Sequence, residues 1–410
     1  MKKLSQMSKI CFALAIALAA NVFSYAYDFK VGDLCYTPAY AYLPSNLEIP
    51  SEVVYLENIY ASNPKTFVSG GLYYNIINDT IAPFEVEITY TWGAVSSFNT
   101  KNYTELTTLD IPSTVEYQGV VYNVTRVGKQ AFYGAQKLQQ VTMCESIKTI
   151  DRYAFMNCPQ LKEVQIGENV DSILLDAFGF GKLQQLSIPK NVKYIAPLIV
   201  RKNPITSINV HPENSNYTSI DGVLFNKNEN ILHTFPAAYA TRYTIPESVD
   251  TIGSCAFAGT SIESVIFPKN LVCIANEAFI GTKLTELILP ASLQSIGMYA
   301  FDMCTSLMKV ICHATTPPIM SDGESEYKYH VFLRVPVSEI PLYVPAESID
   351  AYKEANQWKE FGQILPIEST SVDYVEQPSS VKVQKLLQNG QVLILRDGKN
   401  YNVMGIEIGE

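Results

Sequence analysis

Basic charge is scarce in this sequence. Thirty Lys and Arg stand against forty Asp and Glu, for a formal net charge of −10. Three of the lysines (Lys2, Lys3, Lys9) fall in the first 26 residues, which hold no acid, so the remainder carries −13. An acidic surface repels phosphate backbones and no Lys/Arg run offsets it, which argues against nucleic acid as a partner. Long apolar runs are also missing. The one candidate, Ile10–Ala20, is shorter than the ~20 residues that a membrane-spanning helix needs. Tryptophan is rare (2) and histidine nearly so (4). There is no H-E-x-x-H, no G-x-S-x-G and no phosphate loop. His211 and His233 lie 22 residues apart and invite a shared metal, but no Cys or carboxylate stands at ligand spacing beside them. Two solvated loop histidines are the expected reading. Acidic pairs are plentiful, yet nothing fixes a distance between any two, so no glycosidase pair can be argued. The sequence predicts no enzyme, no metal and no cofactor.

Cysteine is present but not as a framework. Removing Cys11, which lies in the leading apolar run, leaves seven of eight, an odd number without regular spacing. Cys158 and Cys304 each follow an Ala-Phe pair by three residues, and equivalent places in a repeat predict equivalent burial as small core residues. A single isolated bridge stays open. Residues 1–26 read as an export signal, with a lysine-bearing start, an apolar run and Ser24-Tyr25-Ala26 at the cleavage position. The expected location is therefore exported: cell surface or outer-membrane associated, periplasmic, or secreted. No membrane span is expected in the mature chain. Tyrosine, at 26 residues, suits exposed strands and contact surfaces.

What the chain does have is one recurring phrase. It reads VGKQAF at 127–132, IDRYAF at 150–155 and ILLDAF at 173–178, then IGSCAF at 252–257, IANEAF at 274–279 and IGMYAF at 296–301. Within each triplet the Ala-Phe pairs are 22 or 23 residues apart. A fixed period of this length predicts a solenoid whose coils bury their apolar sides against one another. Leading strands follow the pattern L-x-x-L-x-L in LQQVTM (138–143), LKEVQI (161–166), LQQLSI (183–188) and ITSINV (205–210). A second short strand and the Ala-Phe turn complete each coil, with about one helical turn. In the fourth coil YIAPLIV (194–200) stands where the phrase should be.

The rest of the chain is read around that core. Residues 27–115 predict an N-terminal β cap, in which Phe29–Tyr36 and Phe67–Tyr74 echo each other as strand, Gly turn, strand. The solenoid spans 116–316, with a hairpin island near 211–243 turning at Asp221-Gly222. At Thr315–Pro318 the pattern stops. Residues 317–366 predict a C-terminal cap of one strand, Pro341–Pro345, and a helix over Ser348–Phe361 with Ser348 as N-cap and Ile349, Tyr352 and Trp358 against the last coil. A polar linker and a small β tail follow over 367–410.

The x positions of the leading strands face outward. In the first block the candidate binding residues are Gln140, Thr142, Glu163, Gln165, Gln185 and Ser187, a polar and Gln-rich face. In the second block the last x is Ile266, Ile288 and Ile311, predicting an exposed apolar ladder. Soluble monomers seldom leave such a patch bare. Cover by the chain's own tail, a homodimer contact and partner docking all remain open.

The phrase I-P-x-x-V-x-x-I-G-x-x-A-F, best matched by ILPASLQSIGMYAFDMCTSL (288–307), resembles the BspA-type leucine-rich repeat family. That family belongs chiefly to surface and secreted proteins of Bacteroides and related bacteria. The similarity covers about Leu72 to Phe361. It implies a leucine-rich repeat solenoid and a role in attachment to host matrix proteins or other cells. The tail NGQVLILRDGKNYNVMGIEI (389–408) resembles the close of a type IX sorting domain, in a shortened form. The functional expectation is a non-catalytic surface or secreted binding protein that takes a protein or glycan ligand on host or bacterial surfaces. Two alternatives stand beside it. One is a glycan-capture component of a nutrient-uptake system, with Tyr73, Tyr74, Tyr90 and Trp92 as a platform in the N-terminal cap. The other is a self-associating envelope structural protein.

Overall fold

The structure is a computed structural model. It describes residues 66–90, 103–321 and 330–367, together with the backbone of short strands within 29–36 and 384–408. The chain forms two compact units, Met1–Pro366 and Ile367–Glu410. In the second, strands Gln384–Gln388, Gln391–Arg396, Lys399–Tyr401 and Glu407–Ile408 form an antiparallel sheet.

The first unit is a leucine-rich repeat solenoid of short strands. Each coil contributes one leading strand and one short strand to two parallel stacks. Gln140–Thr142 and Glu163–Gln165 pair in register, as do Gln185–Ile188 with Ser207–Val210, and Glu286–Leu289 with Lys309–Cys312. The other stack runs Val120–Val127, Thr149–Ile150, Ser172–Ile173, Tyr194–Ile195. It begins again with Ile231–Thr234 and continues through Thr251–Ile252, Cys273–Ile274, Ser295–Ile296 and Ile319–Met320. The leucine positions of the repeat are the core: Leu138, Val141, Leu161, Leu183, Leu186, Leu284, Leu287 and Leu289 are all essentially inaccessible.

The single-turn segment at each Ala-Phe pair has an alternating hydrogen-bond plan. Gln130, Phe132 and Gly134 donate their backbone N–H to Arg152, Ala154 and Met156 of the next coil. Between them, Ala131, Tyr133 and Ala135 donate three residues back. Half of the donors thus hold the turn and half hold the stack, which keeps every buried N–H paired. The geometry requires a left-handed residue just before each Ala-Phe slot: Gln130, Tyr153, Asp176, Leu198, Cys255, Glu277 and Tyr299, all with φ between 50° and 63°. A second left-handed residue follows each Phe slot by two, and there glycine is one solution (Gly281, φ +67°) among several.

The phenylalanines form a stack along the solenoid. Ring centroids of Phe132 and Phe155 are 5.1 Å apart, and those of Phe155 and Phe178 5.7 Å. The second run is longer than the phrase suggests. It begins at Phe235 (4.7 Å from Phe257), continues through Phe279 and Phe301, and ends on Phe332, 5.3 Å from Phe301. Phe301 N–H donates to Val331 O just as Phe279 N–H donates to Ala300 O. The pattern therefore does not stop at Thr315–Pro318: Val331-Phe332 is one more Ala-Phe slot, delayed by the inserted stretch before it. In the fourth coil the slot persists with other side chains. Leu198 is left-handed and Phe178 N–H donates to Ile199 O, so Ile199-Val200 replace Ala-Phe and the ring stack breaks there.

The hairpin at Tyr217–Ile220 and Val223–Asn226 joins the two halves. Its Asp221-Gly222 turn has both φ positive (51° and 83°), as a tight two-residue hairpin demands. Leu224 packs in the N-terminal core, whereas Val223 and Phe225 pack in the C-terminal one, so this strand is a wall with a core on each side. The hairpin region also closes the free edge of strand Tyr194–Ile195. Ile195 N–H donates to Tyr217 Oη at 3.0 Å and Ile195 O meets His233 Nε2 at 2.9 Å. Asn214 Nδ2 donates to Pro189 O and Val192 O.

At the N-terminal end an antiparallel trio, Thr66–Ser69, Leu72–Asn78 and Glu85–Thr89, converts to parallel pairing where Glu85–Thr89 meets Val120–Val127. At the other end Pro341–Val344 and Gln363–Pro366 extend the leading sheet. The expected helix over Ser348–Phe361 is cut to Ile349–Glu354, with a separate 3-10 turn at Trp358–Glu360. Tertiary hydrogen bonds override helix propensity at the break. Gln357, with φ 63°, accepts from Val331 N–H through Oε1, and Trp358 Nε1 donates to Pro318 O. Ser348 sits at the N-cap, but its hydroxyl donates to Thr315 O rather than to the helix. Tyr352 and Trp358 are buried against the last coils, and Ile349 is half-buried.

Two outcomes follow for stability. Replacing Phe279, at the middle of the second ring stack, by Ala should cost about 3–5 kcal/mol in urea unfolding. Glu87 is the other test. Its Oε2 is buried with no hydrogen-bond partner, and burial pushes its pKa above the ordinary carboxylate value despite Asn75 and Arg126. A raised folded pKa means the fold favours the protonated form. Stability from this group is then full at low pH and falls as pH rises from the ordinary value through the raised one. Glu87→Gln should raise the urea midpoint at pH 7–8 and leave it nearly unchanged at pH 4.

Candidate binding face

The outward positions of the leading strands line up across coils. In the first block one column runs Thr108, Gln140, Glu163 and the next Asp110, Thr142, Gln165, paired in register. Gln185 and Ser187 stand opposite Ser207 and Asn209. Gln140, Glu163, Gln165, Gln185 and Ser187 are exposed, and Thr142 is half-buried. This surface is polar, with hydroxyl and amide groups free to exchange hydrogen bonds with water.

The second block differs. Ile266 is 49% exposed and Ile288 39%, while Ile311 is half-buried. Thr244 stands opposite Ile266, Ile288 opposite Ile311, Ile311 opposite Tyr343, and Tyr343 opposite Leu365. The paired apolar column therefore runs two strands further than the isoleucines, from Ile288 to Leu365 along roughly 14 Å at ~4.8 Å per strand, with Ile266 on the preceding coil in a separate sheet. Tyr343 and Leu365 escape a reading based on the repeat, because their strands belong to the cap. The available signal was Pro341-Leu-Tyr-Val-Pro345, which alternates like a leading strand. Beside the apolar column lies a charged one, in which Glu286 opposes Lys309 and the two form an ion pair at 2.5 Å.

The titratable groups elsewhere are structural. Cys158 and Cys304 are inaccessible, as the repeat implies, and their thiols donate to Phe132 O and Phe279 O of the preceding coil. Burial pushes these thiols up, to about 12 and about 11. Asn203 fills the equivalent place and donates to Phe178 O at 2.8 Å. Cys144, Cys158, Cys255, Cys304 and Cys312 are free thiols, while Cys273 is disulfide-bonded. Asp176 and Asp302 are buried and each is gripped by two guanidinium nitrogens from a later coil, Arg201 and Arg334 respectively. Burial raises the Asp176 carboxyl and Arg201 opposes it. His211 Nδ1 accepts from Glu213 N–H, and His233 is held to Ile195 O, so each histidine is engaged locally. Among the described residues no group of three or more His, Cys, Asp or Glu is placed to hold a metal. Of the expected tyrosine platform in the N-terminal cap, Tyr74 is a core residue, 1% exposed, Tyr73 is half-buried and packs edge-on to Tyr103, and Tyr90 is half-buried. Trp92 lies outside the described residues.

Stacked parallel coils with inward leucines, a Phe stack and outward x positions define a leucine-rich repeat protein. The BspA type leucine-rich repeat region matches residues 101–232 and 233–322 in six copies, more than half of the chain, and the protein belongs to that family. No curated protein matches it. Among solved structures it is similar to a leucine-rich repeat protein from Eubacterium ventriosum (20% identity, 74% of this chain and 86% of that one, TM-score 0.49). It is also similar to the pneumococcal vaccine antigen PcpA (17% identity, 74% and 99%, TM-score 0.45). A third is a leucine-rich repeat protein from Bacteroides ovatus (17% identity, 73% and 76%, TM-score 0.42).

Because Ile266 and Ile288 point away from the core, the double variant Ile266→Ser, Ile288→Ser should unfold within about 0.5 kcal/mol per site of the parent in urea. A larger loss would mean that the ladder is covered within the folded chain.

Proposed function

We propose that the protein is a non-catalytic binding protein, exported to the cell surface or beyond. It captures a protein partner on the face formed by its leading strands. The observation that carries this reading is the paired column Ile288, Ile311, Tyr343 and Leu365, apolar over successive strands, flanked by the Glu286–Lys309 pair and preceded by exposed Ile266 on the coil before. An apolar centre with a polar rim is the usual anatomy of a protein interface, and a central tyrosine is a common anchor. The polar residues Gln140, Thr142, Glu163, Gln165, Gln185 and Ser187 lie on the leading strands of the first block, on the N-terminal side of the hairpin. They would supply hydrogen bonds of specificity rather than most of the affinity. Among the described residues no helix is long and apolar enough to cross a membrane.

The test uses the chain from Tyr27 onward, immobilised against extracellular-matrix proteins and whole bacterial cells. Binding to a matrix or cell-surface protein should fall at least tenfold, about 1.4 kcal/mol, in the Ile266→Ser, Ile288→Ser variant. Unchanged binding by a folded variant would contradict the reading. A parent that is dimeric in light scattering and becomes monomeric in the variant would assign the ladder to self-association instead.

A further inference from the structure

The short-strand stack carries a surface of its own, unrelated to the leading-strand face. Four successive coils present the triplets Asn123-Val124-Thr125, Ser146-Ile147-Lys148, Asn169-Val170-Asp171 and Asn191-Val192-Lys193. The central Val or Ile of each is fully buried, and the residues on either side of it turn outward except Thr125, which is itself buried. With Pro83, Glu85 and Glu145 they line an open groove of about 460 Å³.

The two outward columns have different states. The first is committed to the coil stack: Asn169 Nδ2 donates to Glu145 O at 3.0 Å, Asn191 Nδ2 to Glu168 O at 2.9 Å, and Ser146 Oγ to Val124 O at 2.7 Å. The second column steps through Thr125, Lys148, Asp171 and Lys193, each coil tied to the last by a backbone bond of 2.8 Å. It offers the Lys148 ammonium, the Asp171 carboxylate, whose Oδ1 already accepts from Ser172 Oγ at 2.8 Å, and the Lys193 ammonium at intervals of about 4.8 Å, with the Thr125 hydroxyl buried at the end of the column. Lys148 shares its charge with Glu85 at 3.4 Å. Across the groove three carboxylates, Glu85, Glu145 and Asp171, nearly balance the two lysines.

We propose that this groove is a carbohydrate site for a short neutral oligosaccharide. Each sugar hydroxyl both donates and accepts, so it can donate to Asp171 or Glu145 and accept from Lys193 or Lys148 at once. Hydrogen bonds with one charged partner are the stronger kind. The mixture of charge disfavours a polycation, which would meet Lys148 and Lys193, and a polyanion, which would meet Asp171, Glu145 and Glu85. A peptide has little to hold: Pro83 is the apolar member of the lining, and the strand edge at Ile195 is already closed by Tyr217 and His233. The site is independent of the isoleucine ladder, which lies on the leading strands.

The experiment titrates the chain from Tyr27 onward with linear tetrasaccharides of glucose, mannose and N-acetylglucosamine, followed by saturation-transfer NMR and calorimetry. A heparin-derived tetrasaccharide and an unstructured peptide of mixed charge serve as comparators. Saturable binding to at least one neutral tetrasaccharide is expected. Asp171→Ala and Lys193→Met should each weaken it at least tenfold, while Ile266→Ser, Ile288→Ser leaves it unchanged. Lys193 is exposed, so Lys193→Met is expected to fold as the parent does and decides the matter if Asp171→Ala unfolds. The proposal is overturned if no neutral tetrasaccharide binds, if binding survives both substitutions, or if the acidic saccharide or the peptide alone binds.

Discussion

Neighbouring coils must approach to strand spacing, and at the Ala-Phe turn backbone hydrogen bonds hold them there. A turn that spent all its N–H groups internally would leave the next coil unattached; one that spent none would not turn. The alternation at Gln130 to Ala135 meets both demands, and it fixes which residues must be left-handed. Ala at the slot keeps the backbones close. Phe fills the space between them and stacks on the ring above. The parallel sheets of the solenoid depend on this spacing, since their strands are too short, often two residues, to hold a register by themselves.

The same constraint explains how the chain tolerates interruption. The backbone path of the slot survives at Ile199-Val200 and Val331-Phe332, although the side chains or the spacing change. What fails in the fourth coil is the ring stack, and the hairpin takes over at that point. It divides the core between Leu224 on one side and Val223 with Phe225 on the other, and it satisfies the free backbone groups of Ile195 with Tyr217 and His233. His233, which sequence spacing could pair with His211 around a metal, is therefore a joint residue.

Most of the fold was legible because period and side-chain type coincide. The Ala-Phe phrase, the L-x-x-L-x-L strands and the Asp221-Gly222 turn each carry a local physical requirement, and each appears where the sequence places it. The parts that were not legible depend on contacts distant in sequence. Phe235 and Phe332 join the stack without the Ala that marks the others. Gln357 ends the cap helix by bonding to Val331. Tyr343 and Leu365 extend the apolar column through register alone. The groove around Asp171 and Lys193 was hidden for another reason: its members sit among ordinary polar residues, and only stacking turns them into a column.

A rigid repeat scaffold of this kind separates what holds it together from what it offers. Leucines, phenylalanines, buried thiols and the two Asp–Arg clamps are consumed in the stack, and the outward positions of the leading and short strands are what remains for recognition. The most direct test of that division is side-chain carbene footprinting of the chain with and without a bound protein partner. The account predicts that labelling falls at Ile266, Ile288 and Tyr343 on the leading-strand face and is unchanged at the exposed turn residues Arg152 and Met303. Protection centred on those turns, with Ile266 and Ile288 labelled as in the free chain, would contradict it.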